Sequence, residues 1–133
     1  MNPNHALKQY QNVSIEAGIL SADPYRLIQI LFESALEKLM IAKKFIEINN
    51  IHDKGVAISF AISIVETLQA SLNEEEGGDI ARNLSELYAY MLRTLIEVNL
   101  HNDLKKLDEV IQLIATIKSG WDSMPRENAN NEE

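Results

Sequence analysis

The sequence predicts an all-α fold: an antiparallel up-down bundle of four long helices, preceded by an N-terminal arm or short extra helix. Three observations carry this expectation. The prolines are Pro3, Pro24 and Pro125, so none interrupts the long stretch between the last two. Apolar residues along that stretch recur with helical spacing and show no strand-like alternation. Short polar breaks around residues 49–53, 73–78 and 101–102 divide it into four segments. Links that short place successive helices antiparallel.

Asp23 followed by Pro24 reads as an N-cap with proline at the first helical position, where its missing N–H costs nothing. The first helix then runs to about Ile48, roughly 25 residues or about 37 Å. Asp53 reads as the cap of a second helix ending near Leu72. The run Asn-Glu-Glu-Glu-Gly-Gly from Asn73 is a turn signal, after which Asp79 reads as the cap of a third helix to about Leu100. Asp103 reads as the cap of the last, to about Trp121. Residues 1–22 form the arm and 23–124 the bundle domain. Residues 125–133 form a polar, acidic tail with almost nothing to bury, expected to be disordered.

The helices differ in how much apolar surface they carry. The last is one-sided, with Leu104, Leu107, Ile111, Ile114 and Trp121 in one stripe. The third is similar: Ile80, Leu84, Leu87, Tyr88, Met91, Leu95 and Val98 share a face, and Tyr90 points away from it. The first two carry more than one core contact needs. On the second, Val56, Ala57, Phe60, Ala61, Ile64, Leu68 and Leu72 form one stripe, and Ile58, Ile62 and Val65 form another about 120° away. Two uses of that extra stripe stand open: cover by the N-terminal arm, or a groove for another protein's amphipathic helix. As a groove, its expected lining is Ile58, Ile62 and Val65, with Leu27, Ile28 and Leu31 of the first helix as a wall.

Composition excludes several function classes. The 133 residues hold 12 Lys and Arg against 20 Asp and Glu, a formal charge of −8, which argues against nucleic acid as a partner. Without cysteine there is no disulfide scaffold, thiolate metal site or cysteine nucleophile, and a reducing, cytoplasmic location fits. No apolar run reaches the ~18 residues that span a bilayer. None of His5, His52 and His101 lies three residues after a carboxylate, and no HExxH, P-loop, GxGxxG or GxSxG occurs. Glu33 and Glu37 lie one turn apart on a polar arc and read as a solvated face. The expectation is a non-enzyme with no catalytic residues, metal or cofactor.

The order of features resembles the flagellar secretion chaperone family FliS. The resemblance rests on Tyr10 in the arm, SADPYRLIQILFESAL from Ser21, GGDIARNLSELYAYM from Gly77 and a helix closing on Trp121. Phe32 and Ser34 stand where the family often has tyrosine and glycine. The resemblance implies a monomer or weak homodimer that holds the C-terminal region of flagellin in apolar grooves, prevents its premature polymerisation and delivers it to a flagellar export gate component. It implies that the arm, through Tyr10 and Leu7, covers a groove or engages the export machinery. The competing expectation is a homo-oligomeric structural bundle without a client. A mutase-like helical enzyme ranks below both, because Arg26, Arg82 and Arg93 are the only arginines of the body.

Overall fold

The computed structural model of the chain describes residues 23–125. Within them α1 (Pro24–Glu47), α2 (Ile51–Ala70), α3 (Glu74–His101) and α4 (Leu104–Asp122) follow in order. Each helix packs on its two neighbours in a ring, with no close backbone approach across the diagonal. Contacts across the seams fix the directions. Lys43 pairs with Asp108 and Gln29 bonds Asp122, so α1 and α4 are antiparallel. Lys54 bonds Asn99 and Gln69 bonds Ser85, which does the same for α2 and α3. Tyr90 with Glu109 and Lys106 with Glu97 orient α3 against α4. The up-down bundle read from the sequence is the observed fold.

The caps explain where the helices start. Asp23 accepts the Arg26 N–H at 3.0 Å, with Pro24 in the first turn, as the sequence indicated. α2 begins earlier than expected, because Asn50 is the cap rather than Asp53. Asn50 accepts the Asp53 N–H at 3.2 Å and its amide donates to the Asp53 carboxylate at 2.8 Å, so cap and third residue satisfy each other. The polar run before α3 also differs from expectation. Asn73 caps a single helical turn by accepting the Glu76 N–H, and Asp79, the expected cap, pairs with Arg82. Gly78 separates that turn from the rest of α3 at φ 57, ψ −132, a conformation open essentially to glycine alone. Its neighbour Gly77 packs so closely that a Cβ there would lie 2.6 Å from the Ala81 Cβ. Asp103 caps α4 as read, accepting the Lys106 N–H at 3.1 Å.

The core lies along the ring's axis and includes Phe32, Leu39, Ile64, Met91, Leu95 and Leu107. The α1–α2 seam is the most extensive and α3–α4 the least. Buried alanines account for the first: Ala35 and Ala42 on α1 and Ala57 and Ala61 on α2 let the two backbones approach. α2 is buried on both stripes, since Ile58 and Val65 are as fully enclosed as Ile64. Two residues of the expected α3 core face are not core. Ile80 is 73% exposed because it follows the Gly78 break, and Leu87 is 37% exposed on a face that otherwise packs inward. Trp121, read as the end of the last helix's apolar stripe, is half-buried and stacks on Tyr25 with ring centroids 5.3 Å apart.

Candidate partner-binding surface

The residues expected to form a groove are not brought together as one open surface. Ile58 and Val65 lie wholly inside the bundle. That corrects their assignment as groove lining, since a side chain enclosed by its own helices presents nothing to a partner. Ile62 is half-buried on the edge of α2 that faces α3, while Leu27, Ile28 and Leu31 are half-buried on α1, across α2 from that edge. Leu7 and Tyr10 lie outside the described residues.

An apolar lane does follow the outer rim of the α2–α3 seam. The Lys54–Asn99 and Gln69–Ser85 contacts set the register, which puts Ile62 level with Leu92 and Ile58 level with Ile96. Helical spacing carries Ile51 and Ile62 on α2, and Leu92 and Ile96 on α3, to the same seam. Ile51 is 46% exposed, Ile96 54% and Leu100, just outside them, 70%. Gly55 leaves the floor of the lane low, where an added Cβ would meet only the Asn99 side-chain oxygen at 3.8 Å. The lane spans about 16 Å, or three turns of a helix. Sequence reasoning missed Ile96 and Leu100. Their signal was present, because neither belongs to the core stripe of α3.

A buried cation braces this seam. Lys54 is 3% exposed and donates to the Asn99 carbonyl at 2.7 Å, in the last turn of α3. The carbonyls of a final turn lack intrahelical partners and carry partial negative charge, so an ammonium there is favoured. Nothing in the sequence marks Lys54. Its role follows only from the register of α2 against α3.

The tyrosines of the Leu87–Met91 segment divide as expected. Tyr88 is buried, and that burial pushes its phenol up to about 12. Tyr90 is exposed and donates to Glu109 across an open cleft between α3 and α4. In the same cleft the Lys106 ammonium holds the Glu97 carboxyl below its ordinary range. Among the described residues, no group of three or more side chains is arranged to hold a metal ion. No helix there is long and apolar enough to cross a membrane.

Known proteins share this sequence along most of its length. The family described as flagellar protein FliS matches residues 6–128. Flagellar secretion chaperone FliSB of Pseudomonas aeruginosa is 47% identical over 119 residues, covering 90% of this chain and 94% of that protein. Flagellar secretion chaperone FliS of Salmonella typhimurium is 44% identical, with 86% of each chain covered. That of Vibrio cholerae is 38% identical, covering 94% of this chain and 92% of its own. With the match spanning all four helices, the chain belongs to the FliS family.

Proposed function

We propose that this chain is a cytoplasmic export chaperone that holds the C-terminal segment of flagellin, keeps it from polymerising early and delivers it to the flagellar export gate. The observation that carries this reading is the α2–α3 lane, where exposed Ile51, Ile96 and Leu100 lie along one seam with half-buried Ile62 and Leu92. It agrees with relatives named flagellar secretion chaperones. A segment that later packs inside a filament is amphipathic, and its apolar stripe needs cover before assembly. The lane offers such cover over about three turns.

Burying an isoleucine or leucine completely is worth about 1.5–3 kcal/mol. A handful of such contacts, offset by the cost of association and of ordering the client, supports a micromolar complex. No catalytic step is needed, and release at the gate proceeds by competition. The arm, through Leu7 and Tyr10, contributes by covering part of the client surface or meeting the gate.

Calorimetry and gel filtration with a flagellin C-terminal fragment test this reading. It predicts a 1:1 complex at micromolar concentrations with helicity above the sum of the parts. A chain that forms a stable dimer by sedimentation and ignores the fragment is a structural bundle instead.

A further inference from the structure

Very little backbone parts α3 from α4. The Asn102 N–H still bonds the Val98 carbonyl at 2.8 Å, and the Leu107 N–H bonds that of Asp103 at 3.0 Å, so helical bonding reaches the turn from both sides. Between those bonds the chain leaves the helix at Asn102, φ 56 and ψ 38, and at Asp103, φ −79 and ψ 98. No glycine or proline lies between Asp79 and Ser119, so no residue in that stretch forbids a continuous helix. The α2–α3 turn differs, because Gly78 enforces its break.

An apolar stripe crosses the same turn. Ile96, Leu100, Leu104, Leu107, Ile111 and Ile114 follow one another at intervals of three or four residues, which keeps them on one side of a continuous helix. The turn cuts this stripe in two. Leu107 and Ile114 are enclosed, whereas Ile96 and Leu100 stay exposed. Ile48 and Ile51, beside the α1–α2 turn, are exposed at the same end of the bundle. The α3–α4 seam is also the least extensive of the four. The α1–α2 turn holds an asparagine at positive φ as well, Asn49 at 63, but it closes the most extensive seam.

We infer that two copies of this chain can exchange α4: the α3–α4 turn straightens, α3 and α4 become one helix, and each α4 packs into the other copy's bundle. The contacts of α4 are then remade between chains, among them the Lys43–Asp108 pair and the Tyr25–Trp121 stack. The open carbonyls at the end of α3 bond the open N–H groups at the start of α4, which offsets the lost Asp103 cap. Asn102 gives up its left-handed conformation. The two bundles meet end to end, and Leu100, in line with Leu104 and Leu107, turns toward the other copy near its Ile48 and Ile51. Association costs freedom, so the closed monomer prevails when dilute and the exchanged dimer forms at high concentration. The inference does not rest on the identity of the lane's client.

Sedimentation of the full chain after refolding at high concentration provides the test. Asn102→Ala disfavours the left-handed turn and favours the helix, and two hinges straighten in each dimer, so the association constant should rise about tenfold. Asn102→Gly should lower it, because glycine accepts the turn freely and weakens the helix. Unchanged helicity by circular dichroism shows that both variants are folded. Exchange is identified with Lys43→Cys and Asp108→Cys, placed on separate Asn102→Ala chains that have no other cysteine. Refolded together and treated with a short bis-maleimide, the two different chains should cross-link, and far less so when mixed only after folding. Equal association of the Ala and Gly variants, or a dimer in which positions 43 and 108 do not cross-link, would overturn the inference. So would an Asn102→Ala chain that stays monomeric throughout.

Discussion

Tyr25 and Trp121, 96 positions apart, bind each other's backbone in both directions. The Tyr25 hydroxyl donates to the carbonyls of Trp121 at 2.8 Å and Asp122 at 2.9 Å, and the Trp121 indole N–H donates to the Tyr25 carbonyl at 3.1 Å. Their rings stack at 21° between these bonds. The clasp ties the start of α1 to the end of α4 and thereby fixes where the chain on either side leaves the bundle. Tyr25→Phe keeps the stack and loses the hydroxyl bonds, so it should cost about 1 kcal/mol in urea unfolding. Trp121→Ala removes the stack and the indole bond but leaves the backbone carbonyls that accept from Tyr25, and it should cost about 2–4 kcal/mol, somewhat less than deleting a fully enclosed aromatic. Equal effects of the two variants would mean that the rings contribute little.

Lys54 offers a second test of stability. Lys54→Met keeps most of the buried stem but leaves the Asn99 carbonyl without its donor. An unsatisfied buried acceptor costs about 1–3 kcal/mol, and the denaturation midpoint should fall accordingly with an unchanged slope. A variant as stable as the parent would show that Lys54 acts only through its stem.

Two glycines should respond in opposite directions to the same substitution. Gly78→Ala forces a Cβ onto a backbone at φ 57, ψ −132 and should destabilise by about 1–3 kcal/mol. Gly120 lies within α4, and an added Cβ there meets nothing within 4 Å. Gly120→Ala should therefore stabilise by about 0.5–1 kcal/mol. Thermal melts of the pair read the contrast directly.

The pH dependence follows from which groups shift and in which direction. Glu97 and Asp122 are held below their ordinary values of 4.5 and 3.8 by Lys106 and by Lys118 with Gln29. Their contribution is complete above those values and disappears as pH falls through the lower folded ones. Lys106 and Lys43 are raised above 10.5 by Glu97 and Asp108, and Tyr88 is raised from 10.0 to about 12 by burial. Their contributions are complete below the ordinary values and disappear as pH climbs past them. Melting temperature should be flat near neutrality and fall at both extremes. The carboxylate and lysine groups are solvent-exposed, so added salt should flatten the acid limb. The alkaline limb should persist in salt because Tyr88 depends on burial, and Tyr88→Phe should shrink it.

Fold and site were not equally legible in the sequence. Pro24, Asp23 and Asp103 announce their helix starts through local chemistry, and the apolar spacing of Leu107, Val110 and Ile114 can be read without knowing any neighbour. The start of α2 was misplaced because Asn50 and Asp53 are both good caps, and only their mutual bonding decides between them. The enclosure of Ile58 and Val65 was hidden for a longer-range reason. An apolar stripe does not say which neighbour it meets, and Ile58 and Val65 are enclosed because α3 closes over them. Lys54 gains meaning only from register across a seam.

The central claim is that the α2–α3 lane holds the client, and its most direct measurement is a methyl-resolved NMR footprint of the full chain with a flagellin C-terminal fragment. The account predicts that Ile51, Ile62, Leu92, Ile96 and Leu100 shift together and saturate at one equivalent, and that Ile62→Asp weakens the complex more than it lowers the melting temperature. A footprint centred on α1 and α4 that leaves Ile62 and Ile96 unmoved would contradict it.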